Sequence, residues 1–364
     1  MKCRLLYLVG QLSAGGQERQ LSYLLQAMDR ERHQPAVVVW NFSENDTFVF
    51  PIRALGVPLY SFPRKLSVTA KLATLRRLVR ILKPEVVHSY GFYTNIAAYW
   101  GALGTPALAI GSVRGDFFLD KSGCSPWLAS LSALLPRSQI FNSLVAKENA
   151  RRSKSLFAPR QIFVVRNGLD LNSFRMVPLS VNGQARVVAT GSLLPYKRWD
   201  RLLTAVPILN RRGFDFVVRI VGDGPLRGSL EQQVRALGVS YHVEFVRRND
   251  DIPGLLADAT FLVHTSDSEG CPNVVMEAMA CGRAVVATDA GDVPDLVEDG
   301  KTGFVVHRGD DSKLVERMAT LIANPHLCRQ MGEAGRAKAE REFGLSRLVS
   351  ETLAAYRAAG WKDS

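Results

Sequence analysis

The sequence predicts an α/β protein built from two doubly wound, Rossmann-like parallel-sheet domains. Three observations predict it. At 364 residues the chain exceeds the roughly 250–300 residues at which a single hydrophobic core stops growing. Short apolar, β-rich runs alternate with helix-period stretches from end to end, the pattern of parallel sheets covered on both faces. The alternation restarts after position 183, which makes two series of comparable length.

In the first series, 3–9, 36–40, 86–88, 107–112, 139–142 and 162–166 read as strands. Stretches 17–28 and 69–82 have helical periodicity. Residues 86–113 carry no Asp, Glu, Lys or Arg. Asn95, Gly101, Gly104 and Pro106 interrupt them, so they fit a packed helix and a buried strand better than a membrane span of about 20 residues. In the second series the strands fall at 186–190, 216–221, 243–246, 260–264, 284–288 and 304–306. The junction is placed near Asn167-Gly168 and the polar stretch 177–183, giving domains 1–168 and 169–345. Stretch 345–361 reads as a last helix with Leu348, Leu353, Tyr356 and Trp361 available for packing. Two such sheets facing each other would form a cleft at their strand C-terminal ends, where ligands bind.

Composition narrows the function. Hydrophobic residues at 47% and charged residues at 22% exclude a disordered chain. Cys3, Cys124, Cys271, Cys281 and Cys328 are odd in number and scattered, without Cys-x-x-Cys. That argues against a disulfide framework or a zinc site and for a reducing compartment. The apolar run at the start is too short for a signal peptide. Residues 1–170 hold 22 Lys and Arg against 10 Asp and Glu, whereas 171–364 hold 24 of each. The whole net charge of +12 therefore lies in the first half, which implies an anionic partner there. No helix-turn-helix, zinc spacing or RNP-like aromatic motif accompanies it, so nucleic acid is not expected.

Four loops could carry chemistry. Gly15-Gly16 follows the first strand and permits close backbone approach to a ligand, although an ordinary glycine turn explains it equally well. The loop Gly191-Ser192-Leu193-Leu194-Pro195-Tyr196-Lys197-Arg198 brings two cations to a strand end, as a phosphate site would; a solvated pair opening a helix is the alternative. Gly222-Asp223-Gly224-Pro225 reads first as loop punctuation. The most informative stretch runs from Ser268 to Gly282. Pro272 fits a first helical turn and Gly282 a C-terminal cap. Gly270 and the N–H groups at 272–274 would then make an anion site, flanked by Glu269 before the helix and Glu277 one turn inside it. Carboxylates beside a phosphate site suit a phosphate-linked sugar, whose hydroxyls they accept from.

Glu269 and Glu277, eight apart within Glu-Gly-Cys-Pro-Asn-Val-Val-Met-Glu-Ala-Met-Ala-Cys-Gly, resemble the signature of glycosyltransferase family 4. So do Val285-Val286-Ala287-Thr288-Asp289-Ala290-Gly291 and Asp299-Gly300-Lys301-Thr302-Gly303. Asn167-Gly168-Leu169-Asp170 is similar to the family's interdomain element, and Gly15-Gly16-Gln17-Glu18 to its first glycine loop. The resemblance runs from residue 5 to about 345. It implies a GT-B fold, with the last helix, about 346–364, crossing back to the first domain. It also implies retaining transfer of a sugar from a nucleotide sugar such as a UDP- or GDP-sugar, without cofactor or bound metal. By motif position, Glu269 faces the donor sugar, Glu277 the ribose, and Lys197 the departing diphosphate. Gly270, Cys271, Pro272, Asn273 and Val274 lie against sugar and phosphate, with Gly15, Gly16 and Gly222 also in the donor site.

The chain departs from the family at several points. Ser192 stands where many members have Arg, for which Arg198 or Arg114 could substitute. Arg247-Arg248 replaces a glycine near the nucleobase, leaving Arg248 as a donor contact. Arg114-Gly115-Asp116 stands where the family often has His, while His88 ends another strand. His88, Arg114 and Asp116 are the candidates for contact with acceptor or sugar, and a structural role for His88 is the alternative. In the first domain Arg64, Lys65, Lys71, Arg76, Arg77, Arg80 and Lys83 form a basic helix region without an acid. Such a face is usually only solvated, but it also suits an anionic membrane surface, at about 1 kcal/mol per nearby Lys or Arg. The expected function is transfer to a membrane-associated glycan or lipid-linked acceptor in cell-surface polysaccharide or lipopolysaccharide synthesis. The expected location is the cytoplasm, peripheral to the inner face of its membrane. A soluble acceptor is the alternative within this class, and an inactive scaffold with the same fold lies outside it.

Overall fold

The structure is a computed structural model and describes residues 3–153, 158–179, 183–247 and 251–362. The chain divides into two compact units, residues 1–168 with 345–364, and residues 169–344.

The first unit holds seven parallel strands: β1 (Cys3–Val9), β2 (His33–Phe42), β3 (Leu59–Pro63), β4 (Val86–Ser89), β5 (Leu108–Val113), β6 (Ser138–Phe141) and β7 (Gln161–Val164). Their order is β3-β2-β1-β4-β5-β6-β7. Successive side chains of β1 point to opposite faces, and both faces are buried. Leu5, Tyr7 and Val9 pack with Leu21, Leu24 and Leu25 of helix Gly16–Ala27 and with Leu348, Leu353 and Tyr356 of helix Leu345–Ala358. Leu6 and Leu8 pack with Leu75 and Val79 of helix Val68–Leu82 and with Ala97 and Ala98 of helix Asn95–Ala102. Burial on both sides explains why β1 reads as a continuous apolar run rather than an alternating one.

The second unit repeats the plan with six parallel strands: β8 (Ala185–Thr190), β9 (Phe216–Val221), β10 (Val243–Val246), β11 (Phe261–His264), β12 (Ala284–Thr288) and β13 (Gly303–Val306). Their order is β10-β9-β8-β11-β12-β13. In both units the order reverses beside the first strand, between β1 and β4 and between β8 and β11. Loops leaving two such neighbours diverge, and the crevice between them is where ligands of open α/β sheets sit.

Two expectations are corrected. β3 was not anticipated; it is short, lies at the sheet edge and is closed by Pro63, which are the marks of an edge strand. Lys71 does not belong to an exposed basic face. It is buried, donates to Asn41 Oδ1 at 2.8 Å and lies over the Trp40 ring. Burial lowers its pKa. It sits four residues before Leu75 and eight before Val79, on the stripe that the helix turns inward.

His88, on β4, is an interior residue. Its Nδ1 meets Tyr356 Oη at 2.7 Å and its Nε2 meets Ser112 Oγ at 2.8 Å. With 1% exposure and both nitrogens engaged, it does not present itself to a substrate. Burial first, then the nearby Arg114 charge, hold its pKa well below the usual value. The unfolded chain takes up this proton near pH 6.5 while the folded chain resists it, so the contribution is present above pH 6.5 and lost as pH falls. The unfolding free energy is expected to drop between pH 7 and 5.5, by at most about 1.4 kcal/mol per pH unit from this residue. Urea titrations across that range should show a shallower decline in His88→Gln; an unchanged slope would refute the assignment.

Candidate active site

The loops after β8 and β11 converge because those strands are neighbours. The first loop, 191–198, ends in a turn at Pro195–Lys197, and the second, 265–272, leads into helix Asn273–Ala280. Hydrogen bonds tie them together. Thr265 Oγ1 donates to the Lys197 carbonyl at 2.9 Å, and the Asp267 N–H donates to the Tyr196 carbonyl at 2.8 Å. Asp267 in turn accepts from Arg198 at 3.0 Å and Arg201 at 2.6 Å, while Arg308 donates to its carbonyl at 2.5 Å.

On this frame the Lys197 ammonium lies 2.5 Å from Glu269 Oε1. His264 Nε2 at 3.0 Å and Ser266 Oγ at 2.7 Å contact the same oxygen. A carboxylate cannot donate, so His264 carries its proton on Nε2 in this contact. Burial alone would raise the Glu269 carboxyl, but the Lys197 charge and the His264 hydrogen bond outweigh it and hold the group well below the usual carboxylate range. All three contacts fall on Oε1. Oε2 carries none among the described residues, so it remains an acceptor for a ligand hydroxyl.

Glu277 lies one helical turn beyond Asn273 and is 3% exposed. The helix starts immediately after Pro272, whose carbonyl accepts from the Val275 N–H at 3.2 Å, so its N-terminal end carries the partial positive charge of the helix. Gly270, Cys271, Pro272, Asn273 and Val274 therefore lead into this helix start as expected, with the Cys271 thiol turned inward to Met276 Sδ at 3.6 Å. The Gly270 carbonyl accepts from Asp292 N–H at 2.9 Å. A Cβ on Gly291, which sits at φ +54°, would fall 2.4 Å from that carbonyl. A Cβ on Gly222 would lie 1.9 Å from the Gly191 carbonyl. Glycine at 222 is thus a packing requirement of the loops after β8 and β9 as much as a ligand feature.

Several sequence candidates have other duties. Arg198 is held by Asp200 at 2.8 Å and by Asp267, which raise its pKa, so its guanidinium braces the loop instead of standing in for the arginine missing at 192. Ser192 is exposed, and its carbonyl accepts from Trp199 Nε1. Asp116 caps helix Phe117–Ser122 through Phe118 and Leu119 N–H and accepts from Asn149 at 3.1 Å, which makes it structural. Gly15 caps helix Gly16–Ala27, with the Glu18 carboxylate against it. The Asn167-Gly168 element is clamped by Gln20, which donates to the Gly168 carbonyl at 2.8 Å and accepts its N–H at 2.7 Å. Arg248 lies outside the described residues. His264, Ser266, Asp267 and Arg308 were not anticipated. Only the position of His264 at a strand end, five residues before Glu269, signalled any of them.

Sequence models of two glycosyltransferase families match the chain. Residues 15–168 match the glycosyl transferase 4-like domain, and residues 173–338 match glycosyl transferases group 1. The chain is 38% identical over 159 residues to a GDP-mannose-dependent alpha-(1-6)-phosphatidylinositol monomannoside mannosyltransferase of Mycolicibacterium smegmatis, covering 41% of this chain and 42% of that protein. It is 27% identical over 306 residues to the alpha-maltose-1-phosphate synthase of the same organism, covering 75% of this chain and 78% of that one. Among solved structures, Anabaena HepE in complex with UDP-glucose superposes with a TM-score of 0.83 at 21% identity, over 98% of this chain and 99% of that one.

Proposed function

The chain is a glycosyltransferase of family 4 type with the GT-B fold, and from that premise we propose that it moves a sugar, with retention, from a nucleotide diphosphate sugar to an acceptor hydroxyl. The observation that carries this reading is the Lys197–Glu269 pair at the mouth of a helix bearing Glu277. Lys197 and the helix-start N–H groups supply positive charge where a diphosphate leaves, which is where electrostatic stabilisation counts most. Glu269 Oε2 accepts a donor-sugar hydroxyl, and Glu277 accepts from the ribose. In this reading the protein's own cations meet the leaving group, the reaction proceeds in EDTA, and the departing phosphate helps to deprotonate the acceptor.

A panel of UDP- and GDP-sugars tests it. One nucleotide sugar is expected to raise the melting temperature and to be hydrolysed or transferred in EDTA. Glu277→Ala is expected to weaken that binding about tenfold or more. If no nucleotide sugar binds or turns over, and Glu277→Ala changes nothing, the reading fails.

For the acceptor we favour a membrane-associated glycan or lipid-linked molecule in cell-surface polysaccharide or lipopolysaccharide synthesis, with the enzyme working at the inner face of the cytoplasmic membrane. Arg64, Lys65, Arg77, Arg80 and Lys83 are exposed and support an anionic surface, with Leu66, Val68 and Ile81 beside them. Arg76 contributes less, because it stacks on Trp100 at 5.0 Å. No described helix is long and apolar enough to cross a membrane. Co-sedimentation with phosphatidylglycerol vesicles at low salt is expected and should disappear near 0.5 M salt. Absence of binding at low salt would favour a soluble acceptor. One relative's name contains phosphatidylinositol and the other's maltose 1-phosphate, and both names contain a phosphate.

A further inference from the structure

The loops that follow β1 and β4 leave one edge of the first sheet. The opposite edge, where the strands begin, holds a cavity of about 400 Å³. Early residues of β1 and β2 make its wall, together with Pro58 and Tyr60. Leu6, Leu55 and Leu82 supply apolar surface, while Arg4, Arg30 and His33 supply polar groups. The cavity exists because helices Gly16–Ala27, Val49–Ala54 and Val68–Leu82 all stop short of the strand starts. Pro35, Pro58 and Pro84 stand near the starts of β2, β3 and β4 and bring no backbone N–H to this edge, which leaves it apolar. A mostly apolar cleft of a few hundred Å³ with a few convergent polar groups is the usual form of a small-molecule site.

The charge on that wall has one sign. No Asp or Glu lines the cavity among the described residues. Arg30 is half-buried, and burial lowers its pKa. Its Nη2 donates to the Leu25 carbonyl at 2.7 Å, and no carboxylate takes its remaining N–H groups among the described residues. Arg4 is exposed and has no side-chain partner among them. The nearest acids are otherwise engaged: Asp29 lies beside Arg32, and Glu85 accepts from Trp361 Nε1 at 3.0 Å. Other arginines of this unit are answered by a ring, Arg76 by Trp100 at 5.0 Å and Arg114 by Tyr90 at 4.0 Å. Arg4 and Arg30 have no such ring among the described residues. His33 Nδ1 is fixed on the Asp29 carbonyl at 3.2 Å. The ends of helices Gly16–Ala27 and Val68–Leu82 bring about half a negative charge each to this edge, against two full positive charges on the arginines. The balance favours an anion.

We propose that this cavity binds a small amphipathic anion, with its oxyanion on Arg4 and Arg30 and its apolar body against Leu6, Leu55 and Leu82. The site lies apart from the loops after β8 and β11 and does not rest on the glycosyltransferase reading. A cavity of this size holds a short single chain rather than the paired chains of a bilayer lipid, so the ligand arrives from solution. Guanidinium groups take a phosphate or a carboxylate through the same charge-assisted bonds, and the test separates the two.

Calorimetric titration of the full chain with octyl phosphate, below its micelle concentration and with excess UDP present, provides the test. Octyl phosphate is expected to bind, and inorganic phosphate and octanol each to bind at least about tenfold more weakly. Arg4→Gln should weaken octyl phosphate several-fold, Arg4→Gln combined with Arg30→Gln by about tenfold or more, and the exposed control Arg152→Gln not at all. Arg30→Lys keeps the charge and should retain part of the affinity. Circular dichroism reports whether each variant is folded. Because Arg30 also closes a helix end, Arg4→Glu at its exposed position carries the same comparison without touching Arg30, and charge reversal there should weaken binding by about tenfold. Tighter binding of octyl phosphate than of decanoate assigns a phosphate ligand, and the reverse order assigns a carboxylate. Equal affinity of wild type and folded Arg4→Glu for both anions overturns the proposal, as does octanol binding as tightly as octyl phosphate, or no binding of either anion to the wild type. Failure of UDP to bind would count against the donor reading alone, because the comparison at Arg4 is then read without it.

Discussion

Lys197→Ala is expected to lower turnover by about 100–1,000-fold while the enzyme stays folded. Among the described residues, Lys197 is the lysine or arginine that the loops after β8 and β11 place on Glu269, at 2.5 Å, and Arg198 beside it is already held by Asp200 and Asp267. Charge on the leaving diphosphate grows as the sugar bond breaks, so a fixed ammonium stabilises the transition state more than the bound donor. The loss should therefore appear mainly in kcat, with donor affinity less affected. A second consequence concerns Glu269. Burial pushes its pKa up, and Lys197 is the largest force holding it down. In the wild type the depressed pKa contributes stability above about pH 4.3, lost as pH falls through the folded value. Without Lys197 that contribution shrinks, and acid unfolding should begin at higher pH. Steady-state kinetics and urea titrations from pH 3 to 7 check both. Transfer within threefold of wild type would remove Lys197 from the chemistry.

Arg283→Met should cost about 2–4 kcal/mol of unfolding free energy, a large change for a side chain whose hydrogen bonds among the described residues all go to backbone carbonyls. The residue is 1% exposed. Its Nε donates to the Leu256 carbonyl at 2.9 Å and its Nη2 to the Ala257 carbonyl at 2.5 Å. These are the last carbonyls of helix Ile252–Ala257, so the guanidinium closes a helix C-terminus and meets its partial negative charge. Nη1 adds the Val177 carbonyl at 2.9 Å and the Gly282 carbonyl at 3.2 Å. Methionine fills similar space but strands these acceptors in a dry interior, whereas relief from burying the charge recovers part of the loss. Lysine should do little better, since one ammonium cannot reproduce a planar fork. At roughly 2–4 °C per kcal/mol for a domain of this size, the shift in melting temperature is easily measured. Exposed Arg211→Met is the control, expected within about 0.5 kcal/mol. Equality of the two would refute the assignment.

What the amino-acid order disclosed follows from the range of each interaction. Strand runs such as 216–221 and 284–288 are local, and the structure has strands at the same residues. β3 escaped because Pro58 and Pro63 bracket a half-buried run, which looks like a loop to any local criterion. Lys71 was grouped by its charge, although its spacing to Leu75 and Val79 already placed it on the inward stripe. Glu269, Glu277 and Lys197 were each visible as residues, but the meeting of Lys197 with Glu269 spans 72 positions and depends on β8 lying next to β11. Hydrophobic periodicity does not encode strand order. His88 and His264 have the same local signature, a histidine at the end of an apolar strand. Only the surroundings, Tyr356 and Ser112 for one and Glu269 for the other, separate an interior role from a place at the site.

Helix Leu345–Ala358 completes one face of the sheet that begins at Cys3, through Leu348, Leu353 and the Tyr356–His88 hydrogen bond. During synthesis, the unit that contains β1 to β7 must therefore wait for helix Leu345–Ala358 before its interior can close. The later half has all its strands by residue 306 and every residue of its unit by 344. It can mature first, reversing the usual N-to-C order. Nascent chains stalled short of Leu345 should stay protease-sensitive throughout the early half.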